Sequence, residues 1–313
     1  MNMLAKSLQK GDTIGIIAPS RRVQEFKDEI LQAVKIFKDI GLNVVFSKKC
    51  FNIDKYGLSS GSPKERADDL NDMFSNPKVK AICTAFGGSS SNEIISLIDY
   101  ENIKKNPKIF IGMSDVDIIN LVINQKTNLI TFHGAYAKMK EGLDFQYTIE
   151  SFQNRLIEKN KIIRQSSPRI CVREGLAEGK IIGCNLTAIL KLAGTPSFPD
   201  FTNTIFFIEG ALENTKTLIS KTEQLKQIGV FNKIKGLVIG YIYGFQNKEL
   251  IKRNNIKVKY EDIILDMTKE YNFPIIKTND FGHHSPSCYL PIGAKVKLDA
   301  TNKSIEILDD FLN

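Results

Sequence analysis

Two rhythms of apolar residues alternate over the first 135 or so positions. A short apolar run at residues 13–18 predicts a buried strand, and residues 42–46, 80–84, 108–111 and 129–132 predict further strands. Between them, Ile30, Leu31, Val34, Phe37 and Ile40 recur at helical spacing over residues 25–40, and Gly41 is suited to stop that helix. Residues 63–74, 92–98 and 116–124 predict further helices, with Pro63 suited to a first turn. Such alternation implies an α/β fold, a parallel sheet with flanking helices on both faces. Residues 140–168 are polar, rich in Lys, Gln and Glu and weakly patterned, and read as a connecting segment with some helix. Beyond Gly175 strand patterns (179–182, 204–208, 236–241, 295–298, 304–308) outnumber helix patterns (186–192, 215–227). The expected organisation is an N-terminal α/β domain over 1–140, a connection over 141–169, and a smaller C-terminal α+β, barrel-like domain over 170–313.

Composition narrows the class. With 42% hydrophobic and 25% charged residues, the chain is an ordinary globular one rather than a disordered one. The formal charge of +8 could point to nucleic acid, but the lysines are scattered beside acids and form no basic stripe, so no nucleic-acid partner is expected. No apolar run approaches the roughly 20 residues needed to cross a bilayer, so no membrane partner is expected either. Cys50, Cys83, Cys171, Cys184 and Cys288 are odd in number, widely spaced and without a C-x-x-C pair. Reduced thiols fit this better than a disulfide frame or a zinc site, so no metal is expected. Residues 1–6 lack the apolar core of a signal peptide, and the expectation is a cytoplasmic protein.

Parallel α/β sheets carry functional groups where strands turn into helices at their carboxyl ends. Two such turns here are chemically distinctive. Phe86-Gly87-Gly88-Ser89-Ser90-Ser91-Asn92 follows the strand at 80–84, and its paired glycines permit positive φ and close approach of a ligand to backbone N–H groups. Ile111-Gly112-Met113-Ser114-Asp115 follows the strand at 108–111 and puts a serine where a developing anion meets a helix N-terminus. A tight turn and a helix N-cap are the structural alternatives. A serine nucleophile needs a base. Of three histidines, His133 follows a strand and could be a packed one, whereas His283 and His284 lie in a Gly- and Pro-punctuated loop. Glu209 ends the apolar run Ile205-Phe206-Phe207-Ile208, where a carboxylate either surfaces at a strand end or orients a histidine.

In order, these features resemble the LD-carboxypeptidase family of serine peptidases, and within it the microcin C immunity branch. The resemblance covers nearly the whole chain. It runs through Lys10-Gly11-Asp12-Thr13-Ile14-Gly15, Ser62-Pro63-Lys64-Glu65-Arg66-Ala67-Asp68, Gly87-Gly88 and Ser91-Asn92. It continues through Gly112-Met113-Ser114-Asp115, Glu178-Gly179-Lys180-Ile181-Ile182-Gly183-Cys184-Asn185-Leu186, Phe207-Ile208-Glu209 and Gly282-His283. The resemblance implies a Ser-His-Glu triad of Ser114, His283 and Glu209, oxyanion donors at the N–H groups of Gly88 and Asp115, and no cofactor. Gly87, Ser89 and Asn92 would bind substrate.

The chain also departs from the pattern. Phe86-Gly87-Gly88-Ser89-Ser90 stands where LD-carboxypeptidases typically carry Arg-Gly-Gly-Tyr-Gly. Asp117 replaces a threonine, Cys184 replaces a glycine, and His284 stands where a small residue is common. The immunity branch stacks adenine on a tryptophan, and this chain has none. The expected function is hydrolysis of an amide bond in a small peptide or peptide-nucleotide substrate, by a homodimer. The alternatives are trimming of cytoplasmic murein peptides and a non-catalytic binding role.

Overall fold

A computed structural model describes residues 2–139, 143–211 and 215–313, so the first three positions of the polar stretch at 140–168 lie outside the described residues. The chain divides into two compact units. One comprises Met1–Asn160, Ser287–Gly293 and Asp310–Asn313, and the other Lys161–Pro286 and Ala294–Asp309.

In chain order the first unit begins with β1 (Thr13–Ile17), α1 (Lys27–Asp39), β2 (Asn43–Phe46), α2 (Pro63–Ser75), β3 (Val79–Thr84), α3 (Tyr100–Lys105), β4 (Ile109–Gly112), α4 (Asp117–Thr127), β5 (Thr131–His133) and α5 (Gln146–Phe152). The second unit holds β6 (Ile170–Arg173), β7 (Leu176–Asn185), α6 (Leu186–Leu190), β8 (Thr204–Gly210), α7 (Thr215–Gln227) and β9 (Gly236–Ile242). It continues with α8 (Tyr243–Gln246), α9 (Lys248–Arg253), α10 (Tyr260–Met267) and β10 (Ile275–Lys277). The chain then supplies β11 (Leu290–Ile292) to the first unit and β12 (Lys295–Asp299) and β13 (Ser304–Ile307) to the second.

The first unit is the expected α/β layer structure. Its six-stranded sheet has the order β11-β5-β4-β3-β1-β2. The strands run parallel except β11, which is antiparallel to β5. β1, β3 and β4 are buried along nearly their whole length because both faces of the sheet are covered there, whereas the edge strand β2 is only half-buried or exposed. In α1, Ile30, Ala33, Val34 and Phe37 are buried, and Gly41 ends the helix at φ 88°. A reciprocal cap opens α2: the Ser62 hydroxyl accepts from Glu65 N–H, and the Glu65 carboxylate accepts from Ser62 N–H at 2.9 Å. The helix expected at 92–98 is a 3-10 segment, Ser91–Leu97. Residues 287–293, which the sequence pattern groups with the C-terminal half, build β11. Pro291 is tolerated there because β11 is an edge strand and need not donate on its outer side.

The second unit has a seven-stranded sheet of order β13-β12-β7-β8-β9-β10-β6. β7, β8, β9 and β10 are parallel, and β12, β13 and β6 add antiparallel edges. The result is the curled, half-barrel sheet expected of an α+β unit. Among the described residues no helix is long and apolar enough to cross a membrane.

Candidate active site

In the first unit the chemistry collects at the carboxyl ends of β1, β3 and β4. Met113 leaves β4 extended, and Ser114 then takes φ 61°, a left-handed conformation that a serine adopts at a cost of about 1–2 kcal/mol. A one-turn 3-10 segment, Ser114–Val116, leads directly into α4. The turn lacks the second glycine of a G-x-S-x-G elbow because Val116 occupies that place. Gly112 makes the room instead: a Cβ there would lie 2.5 Å from Val116 Cγ1. The serine is thus held in a strained turn at the entrance to α4.

The glycine pair after β3 packs against this turn. A Cβ on Gly87 would lie 3.0 Å from Ser114 Cβ, 3.2 Å from Ser114 Oγ and 2.5 Å from Tyr136 Oη. Gly88 has φ 150°, and a Cβ there would lie 2.3 Å from Ser20 Oγ. Only glycine lets this loop lie so close to Ser114. The Asp115 side chain is buried and faces inward, accepting from Ser20 Oγ at 2.6 Å and from Ser91 N–H at 2.8 Å. Ser20 Oγ in turn accepts from Ser90 N–H at 3.2 Å. Buried Arg66 joins the same loops from α2, donating to Pro19 O at 2.8 Å, Ser90 O at 3.0 Å and Gly61 O at 3.3 Å, and pairing with Glu93. Ser89 and Asn92 sit on the exposed side of this loop.

In the second unit Glu209 lies at the end of β8, fully buried. Register places it beside Asn185, the last residue of β7. Asn185 Nδ2 donates to Glu209 Oε1 at 2.8 Å, while Asn185 Oδ1 caps α6 by accepting from Thr187 N–H and Ala188 N–H. The other oxygen, Oε2, lies 2.7 Å from His283 Nδ1 and also accepts from His283 N–H at 3.4 Å. An ionised carboxylate only accepts, so with Glu209 ionised the proton of this contact lies on Nδ1. The turn before the histidine is glycine-dependent: Gly282 has φ 123°, and a Cβ there would lie 2.8 Å from Tyr241 O. His284 is exposed, has φ 60°, and stacks on Tyr243 with ring centroids 4.6 Å apart. The two histidines therefore have different surroundings.

The first unit thus brings Gly87, Gly88, Ser114 and Asp115 together, and the second brings Glu209 and His283 together. Sequence reasoning missed Ser20, Arg66, Tyr136 and Asn185 as contributors. Of these, Arg66 and Asn185 lie within the segments that carry the family resemblance, and Asn185 also reads as a cap-forming residue between a strand run and a helix pattern. The unusual Asp117 is buried in α4, and its two oxygens lie 2.9 and 3.0 Å from His133 Nδ1. His133 is therefore the packed, hydrogen-bonded histidine. Cys184 is buried, with its Sγ 3.2 Å from Asn185 O. Among the described residues no group of three or more His, Cys, Asp or Glu could hold a metal ion.

The first unit carries a strained serine on its parallel sheet, and the second carries a buried His–Glu pair on its own. Sequence comparison matches residues 14–134 to the LD-carboxypeptidase N-terminal domain and residues 178–298 to the LD-carboxypeptidase C-terminal domain. The chain is 31% identical over 310 residues to the "Probable murein peptide carboxypeptidase" of Bacillus subtilis, covering 98% of this chain and 95% of the relative. It is 29% identical to the microcin C7 self-immunity protein MccF of Escherichia coli, covering 99% of this chain and 97% of that one. A solved structure of MccF in complex with glutamyl sulfamoyl guanosine superposes with a TM-score of 0.90 at 27% identity, covering 99% of each chain. The chain belongs to the LD-carboxypeptidase family and is a carboxypeptidase-like hydrolase.

Proposed function

We propose that this enzyme cleaves an amide bond in a small peptide-like substrate with Ser114 as nucleophile, His283 as general base and Glu209 as the group that orients and charges the base. The observation that carries this reading is the buried Glu209–His283 contact of 2.7 Å, completed by Asn185 on the far oxygen of the carboxylate. In the mechanism Ser114 Oγ attacks the carbonyl carbon while His283 Nε2 takes the hydroxyl proton. Glu209 stabilises the imidazolium that forms. The N–H groups of Gly88 and Asp115 bind the tetrahedral oxyanion. Collapse expels the amine, which receives the proton from His283. Water, deprotonated by the same histidine, then hydrolyses the acyl-enzyme and returns Ser114.

For the substrate, the likeness to MccF with an aminoacyl-sulfamoyl nucleoside bound supports a peptidyl- or aminoacyl-nucleotide. With no tryptophan in the chain, any base stacking falls to Phe or Tyr. A second reading, removal of a terminal D-residue from cytoplasmic murein peptides, is favoured by the 31% identity to the murein peptide carboxypeptidase relative. In either reading the enzyme works in the cytoplasm as a homodimer. The deciding experiment is mass spectrometry of products from a murein tetrapeptide and from an aminoacyl sulfamoyl adenylate, each incubated with the protein and with Ser114→Ala. Cleavage of the adenylate alone supports the first reading, and loss of a terminal residue from the tetrapeptide alone supports the second. Cleavage of neither, or equal cleavage by Ser114→Ala, overturns the assignment.

A further inference from the structure

Six residues before the proposed base, Lys277 ends β10 with its side chain turned into the protein and only 4% exposed. A lysine is seldom buried so completely without a partner that needs it. Its ammonium has three N–H donors and meets three acceptors: Thr278 O at 2.7 Å, Gly240 O at 2.8 Å and Asn279 Oδ1 at 2.8 Å. Gly240 belongs to β9, whereas Thr278 and Asn279 begin the segment that ends in Gly282 and His283. Asn279 Oδ1 also accepts from Gln246 Nε2 at 2.8 Å, so the clamp reaches α8. Other ties hold the same segment. Thr278 N–H donates to Ile239 O and Tyr241 N–H to Phe281 O, each at 2.8 Å, and Arg169 Nε donates to Asp280 at 2.8 Å. Gly240 gives Phe281 room to lie flat, since a Cβ there would be 2.3 Å from its ring.

Resting on the function proposed above, we propose that Lys277 is a positioning residue for the reaction: its ammonium binds the His283 segment to the end of β9 and so holds the imidazole in line with its task. The argument is one of donor count. Three acceptors converge on one nitrogen, and only the charged form supplies a proton to each. The neutral amine has two N–H groups, which leaves one acceptor facing a lone pair. Burial pushes the group down from the ordinary lysine range to about 7, opposed by the carboxylates of Glu261 on α10 and Asp280 on the same segment. Deprotonation therefore falls at a pH where the enzyme can be assayed, and it weakens the clamp while the remaining ties keep the segment folded.

The stability consequence has the opposite sign. Between about 7, where the folded protein gives up this proton, and the ordinary lysine value of 10.5, the unfolded chain binds more protons than the folded one. Linkage then makes this group's contribution to stability rise with pH across that window. A loss of activity there is not a loss of fold.

The test is the pH profile of kcat and KM for the wild-type protein, Lys277→Met and Lys277→Arg, with Ser114→Ala as control and a melting temperature at each pH. Wild type should lose kcat roughly tenfold as pH rises through the window, with KM nearly unchanged, since geometric misplacement at a catalytic group is costly. Lys277→Met should be low throughout and show no such fall. Lys277→Arg stays charged, so it should recover activity and move the fall to higher pH. If Lys277→Met folds poorly, the wild-type and Lys277→Arg profiles decide. An identical alkaline limb in all three proteins, or none in wild type, overturns the role of Lys277. Activity retained in Ser114→Ala would instead overturn the underlying assignment.

Discussion

At the residue scale, Ser114, the proposed nucleophile, carries a conformational cost. Serine at φ 61° is held there by the packing of Gly87, Gly112 and Val116 around the turn. Ser114→Ala should keep the fold and lose on the order of 10³-fold or more in kcat. Ser114→Gly should be equally inactive but melt higher than Ser114→Ala, because glycine relieves a left-handed strain of about 1–2 kcal/mol and returns only part of it as backbone entropy. Calorimetry on the two variants checks this, and a lower melting point for the glycine variant would show that the turn is not strained. The histidines divide in the same way. His283→Ala should abolish activity, while His284→Ala, which removes only an exposed ring stacked on Tyr243, should leave kcat within a few-fold. Glu209→Gln keeps the shape of the contact but loses the charge behind the imidazolium. About 10²- to 10⁴-fold in kcat at unchanged melting temperature is expected, by analogy with the handicap of a triad Asp-to-Asn change. An unchanged kcat would reduce Glu209 to a strand-end carboxylate.

At the scale of elements, one side chain links two of them to the site. Asn185 caps α6 with its oxygen and steadies Glu209 with its amide. Asn185→Asp keeps the cap but replaces the donor with a second carboxylate against a fully buried one. It should lower kcat and, through like-charge repulsion, lose stability as pH rises above the carboxylate range. Asn185→Ala should lose both functions, with about 0.5–2 kcal/mol from the cap alone. If either variant keeps full activity, Glu209 needs no partner beyond His283. The βα alternation of the first unit was legible because each of its buried strands is a short apolar run and its longer helices have one apolar face. Ser114, Glu209 and His283 were legible as motif residues at strand ends and in a glycine-punctuated loop. Asn185 was not assigned this role, because the role exists only through the register that sets β7 beside β8. Lys277 was not legible either, since a lysine ending a three-residue strand reads as one that surfaces. Short helices such as α3 and α9 carry too few apolar positions for a period to show.

At the scale of the whole molecule, the sequence order and the folding units do not coincide. The first unit takes its edge strand from Ser287–Gly293 and a closing segment from Asp310–Asn313. β11 covers the edge of β5 by antiparallel pairing, as Leu290, Pro291 and Ile292 face His133, Phe132 and Thr131. The terminal segment is bonded in both directions: Asn313 N–H donates to Ala5 O at 2.9 Å and Ser7 N–H donates to Asn313 O at 3.0 Å. Phe311 is buried, its ring 6.3 Å from that of Phe132 and 5.3 Å from the Arg155 guanidinium, and Leu312 is buried beside it in sequence. These are contacts of long sequence separation, so the first unit is complete only once Ser287–Gly293 and Asp310–Asn313 are in place. A fragment of residues 1–160 should therefore be less stable than its many local βα contacts suggest, with an exposed β5 edge that invites association. Removing Asp310–Asn313 from the full chain isolates one part of this effect. Loss of two buried apolar side chains should cost about 3–6 kcal/mol, at roughly 1.5–3 kcal/mol each. Denaturant unfolding of the truncated chain, followed by hydrogen exchange at β5 and α4, measures it. Exchange should accelerate in the first unit's sheet, and hydrolysis should fall with it if Ser114 is the nucleophile. An unchanged unfolding midpoint would mean that the first unit closes without its C-terminal segment, and the long-range contacts around Phe132 would then carry no stability.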